Sequence, residues 1–464
     1  MYKERQDFDD VAWDKSDAAE EKCQKRMRKE STCRKVEAFV MVKCGKPATV
    51  VSVIQGGYNT HYRLRFEGED SSSDIMARVP RPTAAAVSPG KKVFYEAATA
   101  EYIRLNTRVP SAQVLHFARD SDIGAFLIMC RVENRGNITQ PLTIPDRDIN
   151  LTPALNPNLH ERKLRSLWRA GVVAGRPLTQ NMSNMRRLAN IRTAIFPAEN
   201  KTFATADEWY LELANMHLSQ LVFQHNDLVS SEDDCRNKYV ARQLFRRLAK
   251  QGCLSTFGFA EDDWSADAKT TTRCRFPAPD GSGPFRLWCD DFRPANALLD
   301  RAQDEDKLAA VIDWEFTYAA PVQFVLDPPW WLLFETPEMW EPSGDKEQEE
   351  GPRARAAFLD GRPLSAHMRE SWETGRFWFN YAAKKSWAFD AVFWTFLDER
   401  FFGPRDPEVA DKDLWRTRLD LLGQGEQQAM EPLVKQKMDE SRERILIEWD
   451  PDEARKRLSE LLFD

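Results

Sequence analysis

Apolar and polar residues alternate along the chain from Thr49 to Pro80, in three runs that read TVVSVI, HYRLRF and DIMARVP. The runs are separated by the paired glycines of GGYN and by the polar loop EGEDSSS. Alternation with a period of two is typical of half-buried strands, and turn residues between such runs indicate hairpins. The pattern therefore predicts an antiparallel meander of three strands, closed by Pro80 and Pro82.

The period changes after this meander. Val93, Ala97 and Ile103 are among the apolar residues that lie at helical spacing in KKVFYEAATAEYIRLNT. The next stretch, VPSAQVLHFARDSDIGAFLIMCRV, contains two more short strand patterns. We therefore predict a small α+β lobe over residues 46–133, preceded by a charged helical extension over residues 1–45.

Residues 134–464 have a mainly helical pattern. Thr205 and Glu208 show capping-box spacing before an amphipathic run, and a further helical run stops at Gly252. One β-hairpin interrupts the helices, with NALL and LAAVIDW as its strands and DRAQDED as its turn. The sequence thus predicts a large helical lobe that contains a hairpin region at residues 287–315.

Charge and cysteine content exclude several classes of function. The 464 residues include 66 basic and 73 acidic side chains, a net charge of −7 without a basic stripe, so neither nucleic acid nor an anionic membrane is favoured as a partner. The charged N-terminus and the lack of a long apolar window predict a cytoplasmic protein that does not span a membrane. The eight cysteines form no CxxC pair, which argues against a structural zinc site and a disulfide framework.

The hairpin region carries the candidate chemistry. Asn296 stands just before the first hairpin strand and Asp313 just after the second, so antiparallel pairing places both at the same open end. A carboxylate and an amide oxygen are suitable ligands for Mg²⁺. Asp291 enters from the preceding loop, and the order of the three residues matches the phosphoryl-transfer template. We predict Asp291 as the catalytic base and Asn296 and Asp313 as the metal ligands; a surface hairpin with polar flanks is the alternative.

The first lobe offers candidate groups for the phosphates of ATP. Gly56 and Gly57 lie between two strands, where their backbone amides could contact phosphate oxygens. Arg78 is the cation on the third strand, and Glu96 is its predicted partner because it shares a helix face with Ile103. The alternatives are an ordinary hairpin turn, an exposed strand residue and a solvated helix residue.

A second stretch, QHNDLVSSEDD, contains His225 and Asp227 in the His-x-Asp spacing that many catalytic loops carry. Five residues after Asp227, however, stands Glu232 instead of an asparagine. No aliphatic strand ending in aspartate follows at hairpin distance. We interpret this stretch as a polar link between two helices.

Several stretches taken together resemble the aminoglycoside phosphotransferase family, specifically its fungal branch of uncharacterised members. They are GGYNTHYRLRF, ARVPRP, YEAATAEYIRLNTRVPSAQV, FLIMCRV, LWCDDFRPANALLD and VIDWEFTYAAPVQFVLDPPWWLL, in order over roughly residues 45–335. The resemblance implies a bilobal, protein-kinase-like fold with adenine held by the segment around Met129. It also implies Asp327 as a carboxylate that braces the catalytic loop, and transfer of the ATP γ-phosphate to a hydroxyl of a small molecule.

Two departures from the family pattern keep a second function open. Cys289 stands where the catalytic loop of the family commonly has a histidine, and Arg78 replaces the strand lysine, to which it is not equivalent. The alternative is therefore a catalytically impaired homologue that acts as a nucleotide-binding or protein-interaction module. Asp290 is expected to be part of the loop structure or to face solvent. The sequence does not indicate the acceptor or the oligomeric state.

Overall fold

The computed structural model describes residues 8–81, 88–137, 139, 177–266, 276–279, 285–300, 307–333, 337 and 363–463. Two helices come first, α1 (Asp10–Met27) and α2 (Glu30–Cys44). The side chain of Asp9 caps α1 by accepting a hydrogen bond from the backbone N–H of Ala12. Helix α2 ends at Gly45, whose φ of 72° is readily adopted only by glycine.

A five-stranded sheet follows, with β1 (Ala48–Gln55), β2 (Asn59–Phe66), β3 (Ile75–Pro80), β4 (Val114–Ala118) and β5 (Phe126–Cys130). The strand order is β1-β2-β3-β5-β4, and every neighbouring pair is antiparallel. Helix α3 (Pro89–Asn106) connects β3 to β4. The predicted meander, helix and two further strands are all present.

Helices cover both faces of this sheet. Phe126 and Ile128 of β5 pack with residues of α1 and α2, such as Val36. Leu127, which points to the opposite face, packs with Val93 and other apolar residues of α3. The helical extension is therefore part of the same hydrophobic core as the sheet.

The rest of the described chain is largely helical. Its helices are α4 (Gln180–Leu188), α5 (Ala206–Phe223), α6 (Glu232–Lys250), α7 (Val322–Val325), α8 (Pro363–Glu373), α9 (Arg376–Lys384), α10 (Phe389–Val392), α11 (Asp398–Phe402), α12 (Gln424–Glu440) and α13 (Pro451–Ser459). Thr205 caps α5 as its spacing predicts, and α6 ends just before Gly252. A large cluster of buried aromatic and aliphatic side chains forms the core of this part.

Two short antiparallel strand pairs lie within the helical part. β6 (Phe285–Cys289) pairs with β9 (Thr317–Pro321), and β7 (Ala297–Leu299) pairs with β8 (Leu308–Val311). The second pair is the predicted hairpin. The first pair fixes the start of the loop at Asp290, so the two pairs hold the loop 290–296 from both ends.

The α+β architecture predicted from the sequence is confirmed, with a small antiparallel sheet followed by a large, mainly helical part. The stretch around His225 and Asp227 joins α5 to α6, as its polar character predicts. None of the helices described is both long and apolar enough to cross a membrane. The predicted limits of the extension and of the two lobes stay predictions.

Candidate active site

Asp291 lies in the loop after β6 and is 4% exposed. Its Oδ1 accepts a hydrogen bond from Gln180 Nε2 and forms an ion pair with Arg293 Nε, both at 3.3 Å. Its Oδ2 has no hydrogen-bond partner among the described residues. Burial raises the pKa of Asp291 to about 6, against the opposing effect of Arg293. The carboxylate is thus ionised at neutral pH but more basic than an exposed aspartate.

Asp290 has a different role in the same loop. Its carboxylate accepts hydrogen bonds from Trp288 Nε1 at 2.8 Å, Tyr318 Oη at 3.1 Å and the backbone N–H of Gln180 at 3.1 Å. Gln180 therefore donates to both aspartates, from its backbone to Asp290 and from its side chain to Asp291. Asp290 belongs to the structure of the loop, and it does not simply face solvent.

Asn296 and Asp313 meet at the open end of the hairpin. The backbone N–H of Ile312 donates to the carbonyl oxygen of Asn296 at 2.9 Å, which aligns Asn296 with the residue directly before Asp313. Asn296 Nδ2 donates to the carbonyl oxygen of Asp291 at 2.8 Å, so the amide orients the loop and its Oδ1 has no hydrogen-bond donor among the described residues. Asp313 has a φ of 68°, in the left-handed region that few non-glycine residues adopt.

These two side chains fit a hard cation by the chemistry of their oxygens. Mg²⁺ is commonly held by one or two protein oxygen ligands, with waters and substrate phosphates completing its octahedron. Within the described ranges, no cluster of three or more His, Cys, Asp or Glu side chains is suited to a metal ion. A cation between Asn296 Oδ1 and Asp313 would therefore need most of its ligands from nucleotide and water.

Arg78 joins the sheet to this site. It forms a buried ion pair with Glu96 of α3, the partner that the helical spacing predicts. Its Nη2 also lies 2.7 Å from Asp313 Oδ1 and 2.5 Å from Glu315 Oε2. Burial alone would raise the pKa of Asp313, but the Arg78 guanidinium lowers it below its usual value. For Glu96, burial raises the pKa despite the attraction of Arg78.

Glu315 is the centre of a polar cluster that the sequence reasoning missed. Its Oε2 accepts hydrogen bonds from Asn59 Nδ2 and from Lys92 Nζ, both at 2.8 Å, in addition to Arg78. Two signals could have found this cluster. Lys92 precedes Glu96 by four residues and so shares its helix face, and Glu315 follows Asp313 by two residues.

The glycine turn between β1 and β2 is closed by hydrogen bonds on both sides. The N–H of Gly56 donates to the carbonyl oxygen of Asn59 at 2.9 Å. The carbonyl oxygens of Gly56 and Gly57 both accept hydrogen bonds from Arg81 Nη2. Of the two glycine amides that were predicted to contact phosphate, only that of Gly57 has no acceptor in the described part of the chain.

Three further candidate residues were indicated by the sequence. Met129 lies in β5, opposite Met76 of β3, rather than in the segment that leaves the sheet. Cys289 is the last residue of β6, and burial raises the pKa of its thiol. Asp327 Oδ1 accepts a hydrogen bond from Ser371 Oγ of α8 at 2.5 Å. Asp327 therefore contacts a helix of the helical part, and the bracing of the catalytic loop that the resemblance assigns to it stays a prediction.

Comparisons with known proteins were made at the levels of sequence and structure. No family model and no curated protein matches the chain. The solved structures that are similar include a mutant of aminoglycoside 2′-phosphotransferase-IIIa bound to GDP, with 13% identity over 89% of this chain and 99% of that one and a TM-score of 0.36.

Two other similar structures are a thermostable mutant of aminoglycoside phosphotransferase APH(4)-Ia with AMP-PNP and hygromycin B, and the Cydia pomonella granulovirus kinase PK-1. The first shares 14% identity over 92% of this chain and 98% of that one, with a TM-score of 0.31. The second shares 11% identity over 93% of this chain and 100% of that one, with a TM-score of 0.25. Similarity at this level does not decide the function, and membership of the fungal branch stays a prediction.

Proposed function

We propose that this chain is an ATP- and Mg²⁺-dependent phosphotransferase that moves the γ-phosphate to a hydroxyl of a small molecule in the cytoplasm. The observation that carries the proposal is the junction at Asp313. This aspartate shares the open end of the hairpin with Asn296 and is bonded to Arg78, which is itself paired with Glu96. Asn296 and Asp313 of the phosphoryl-transfer template are therefore linked to the ion pair of the sheet, and Asn296 bonds to the backbone of the third template group, Asp291.

Asp291 is the proposed catalytic base. Its Oδ2 is the carboxylate oxygen left for the acceptor hydroxyl, because Gln180 and Arg293 both contact Oδ1. A base with a pKa of about 6 is mostly ionised at neutral pH, so it can take up the proton as the hydroxyl oxygen attacks the phosphorus. Asn296 keeps the loop in place through its bond to the Asp291 carbonyl.

Asn296 Oδ1 and the carboxylate of Asp313 would hold Mg²⁺, which would offset the negative charge of the phosphates. Arg78 contacts Asp313 through Oδ1 and leaves Oδ2 for the cation. On the side of the sheet, the free N–H of Gly57 would face the phosphates. The adenine is proposed to bind near Met129, at the end of β5. The acceptor is a small hydroxyl compound of a class that the proposal leaves open.

A second candidate is a nucleotide-binding or protein-interaction module without catalysis. It is favoured by the contacts that already fill the site: Arg78 bonds to Asp313, and Asn59 bonds to Glu315. Cys289 at the start of the loop also departs from the histidine that the family commonly carries.

A thermal-shift experiment with ATP, with and without Mg²⁺, separates these functions when it is combined with an assay of ADP release. We expect ATP to raise Tm, with a larger rise when Mg²⁺ is present, since a ligand that binds only the folded state stabilises it. Asp313→Ala should remove the part of the Tm rise that depends on Mg²⁺. Asp291→Ala should still bind ATP but should no longer release ADP in the presence of an acceptor. Asp263→Ala changes an exposed aspartate and is the control. Normal turnover by Asp291→Ala would rule out Asp291 as the base, and a lack of Mg²⁺ dependence would argue against the phosphotransferase.

A further inference from the structure

The charged N-terminal extension contacts the candidate nucleotide site through the buried side chain of Arg81. Glu20, in the third turn of α1, places Oε1 2.8 Å from Arg81 Nη2. The same Nη2 donates to the carbonyl oxygen of Gly56 at 2.6 Å and to that of Gly57. Arg81 also donates its backbone N–H to the carbonyl oxygen of Tyr58 at 2.9 Å. One arginine therefore holds three consecutive carbonyl groups of the glycine turn.

Arg81 depends on Glu20 for its charge balance. Its side chain is 0% exposed, and Glu20 is the carboxylate with which it pairs in the described part of the chain. A buried guanidinium without a carboxylate is strongly unfavourable, so loss of the Glu20 charge should displace Arg81. Arg81 would then no longer hold the carbonyl oxygens of Gly56 and Gly57.

The position of α1 makes this contact well defined. At the start of α1, Asp9 accepts hydrogen bonds from Asn226 in the link between α5 and α6. At the end of α1, Cys23 and Met27 are buried against the sheet. Glu20 lies between these two attachments, so its carboxylate is presented to Arg81 by a helix that is fixed at both ends.

We propose that Glu20 is a positioning residue for the nucleotide site, acting through Arg81 on the glycine turn. The inference rests on the proposed nucleotide binding by that turn. The carbonyl side of the turn is bound by Arg81, which leaves the N–H of Gly57 to the opposite side, where a phosphate would be contacted. The helical extension therefore helps to hold the glycine turn of the nucleotide site in place.

The test compares Glu20→Gln with Glu21→Gln. The two substitutions remove the same charge from adjacent positions, but Glu21 is exposed and, among the described residues, pairs with Lys25 of its own helix. Amide hydrogen exchange of the ligand-free proteins is measured over residues 55–60. We expect faster exchange in Glu20→Gln and an unchanged rate in Glu21→Gln. A peptide from α5 serves as the reference for global unfolding.

The second measurement is the binding of ATP with Mg²⁺ by titration calorimetry. We expect Glu20→Gln to raise Kd about tenfold, whereas Glu21→Gln keeps the wild-type value. Where an acceptor is known, the change should appear in KM for ATP with kcat within about twofold. Glu20→Asp, which keeps the charge, should restore part of the affinity.

The outcomes separate this inference from the proposed function. Equal exchange of the turn in Glu20→Gln and Glu21→Gln would overturn the inference, as would faster exchange without any loss of affinity. Failure of the wild-type protein to bind ATP would overturn the proposed function instead. If Glu20→Gln does not fold, the comparison uses Arg81→Gln with Arg81→Gln/Glu20→Gln. Equal exchange of the turn in these two variants supports action through Arg81, and faster exchange in the double variant contradicts it.

Discussion

At the scale of single residues, Asp291 and Asp290 show how adjacent aspartates receive different surroundings. Asp290 accepts three hydrogen bonds and is fixed in the loop. Among the described residues, the carboxylate of Asp291 is contacted through Oδ1 alone, and burial raises its pKa to about 6. The sequence distinguishes them by register with Asn296, whereas two of the three hydrogen bonds that fix Asp290 come from Gln180 and Tyr318, which no local pattern indicates.

If Asp291 is the base of the proposed phosphoryl transfer, the rate should fall as the pH drops below about 6, because protonated Asp291 cannot accept the hydroxyl proton. Arg293 lowers the pKa of Asp291, so Arg293→Met should raise that pKa and move the acidic limb of the profile to higher pH. The measurement is the initial rate of ADP release against pH, with an acceptor found in a metabolite screen. Arg286→Met, at an exposed arginine on β6, is the control. If the acidic limb of the pH profile stays at its wild-type position in Arg293→Met, the assignment of Asp291 as the base is wrong.

Glu315→Gln should lower the free energy of unfolding by about 3 kcal/mol, because it removes the carboxylate from a buried cluster of cations. Arg78 would keep Glu96 and Asp313 as partners, but Lys92 would lose the carboxylate to which it is bonded at 2.8 Å. Adding Lys92→Gln should therefore recover part of the loss. Urea denaturation of Glu315→Gln, Lys92→Gln and the double variant checks this, with Glu67→Gln at an exposed site as the control. A simple sum of the two single effects would mean that Lys92 and Glu315 are not coupled.

At the scale of elements, a contact could be predicted from the sequence when the two contacting residues lie close together along the chain. The meander, the hairpin and the pairing of Asn296 with the end of β8 follow from alternation and turn residues over short separations. The Arg78–Glu96 pair follows from helical spacing on α3. The bonds of Asn59 to Glu315 and of Glu20 to Arg81 join segments with unrelated patterns, so only the folded chain shows them.

Helix α3 carries Lys92 and Glu96 into the site, and its position depends on a close approach to the residue after β4. A Cβ atom on Gly90 would lie 2.4 Å from the carbonyl oxygen of Arg119, so Gly90→Ala must push α3 away from the sheet. We expect a loss of about 1–3 kcal/mol in stability and a weaker response to ATP and Mg²⁺.

Gly57→Ala is the matched control for stability, because a Cβ there would meet nothing within 4 Å. It should leave the urea midpoint unchanged. Since Gly57 offers the free amide of the turn, the same variant should still lower ATP affinity if phosphate approaches this backbone closely. Equal stability of the two alanine variants would show that the contact between Gly90 and Arg119 is not tight.

At the scale of the whole molecule, polar bonds between distant segments hold the sheet and the helical part together. Arg78 and Asn59 of the sheet bond to Asp313 and Glu315 of the hairpin region, and α1 contacts both parts. The candidate site lies where these bonds meet. Nucleotide binding and the stability of the whole chain should therefore be coupled.

The attachment of α1 to the helical part depends on Asp9, which is 0% exposed. Its carboxylate accepts hydrogen bonds from the N–H of Ala12 and from the N–H and side chain of Asn226, at 2.9–3.1 Å. Asp9→Ala removes the helix cap, worth about 1 kcal/mol, and leaves a buried N–H of Asn226 unpaired, at about 1–3 kcal/mol. We therefore expect a loss of about 2–4 kcal/mol in urea denaturation.

Asp14→Ala replaces an exposed aspartate of the same helix and should change stability by less than about 0.5 kcal/mol. Because α1 also presents Glu20 to Arg81, Asp9→Ala should raise the Kd of ATP as well, although Asp9 contacts no residue of the glycine turn. Limited proteolysis of α1 reports its release from the helical part directly. If α1 is released in Asp9→Ala while ATP affinity stays at the Asp14→Ala value, the extension stabilises the fold without supporting the nucleotide site.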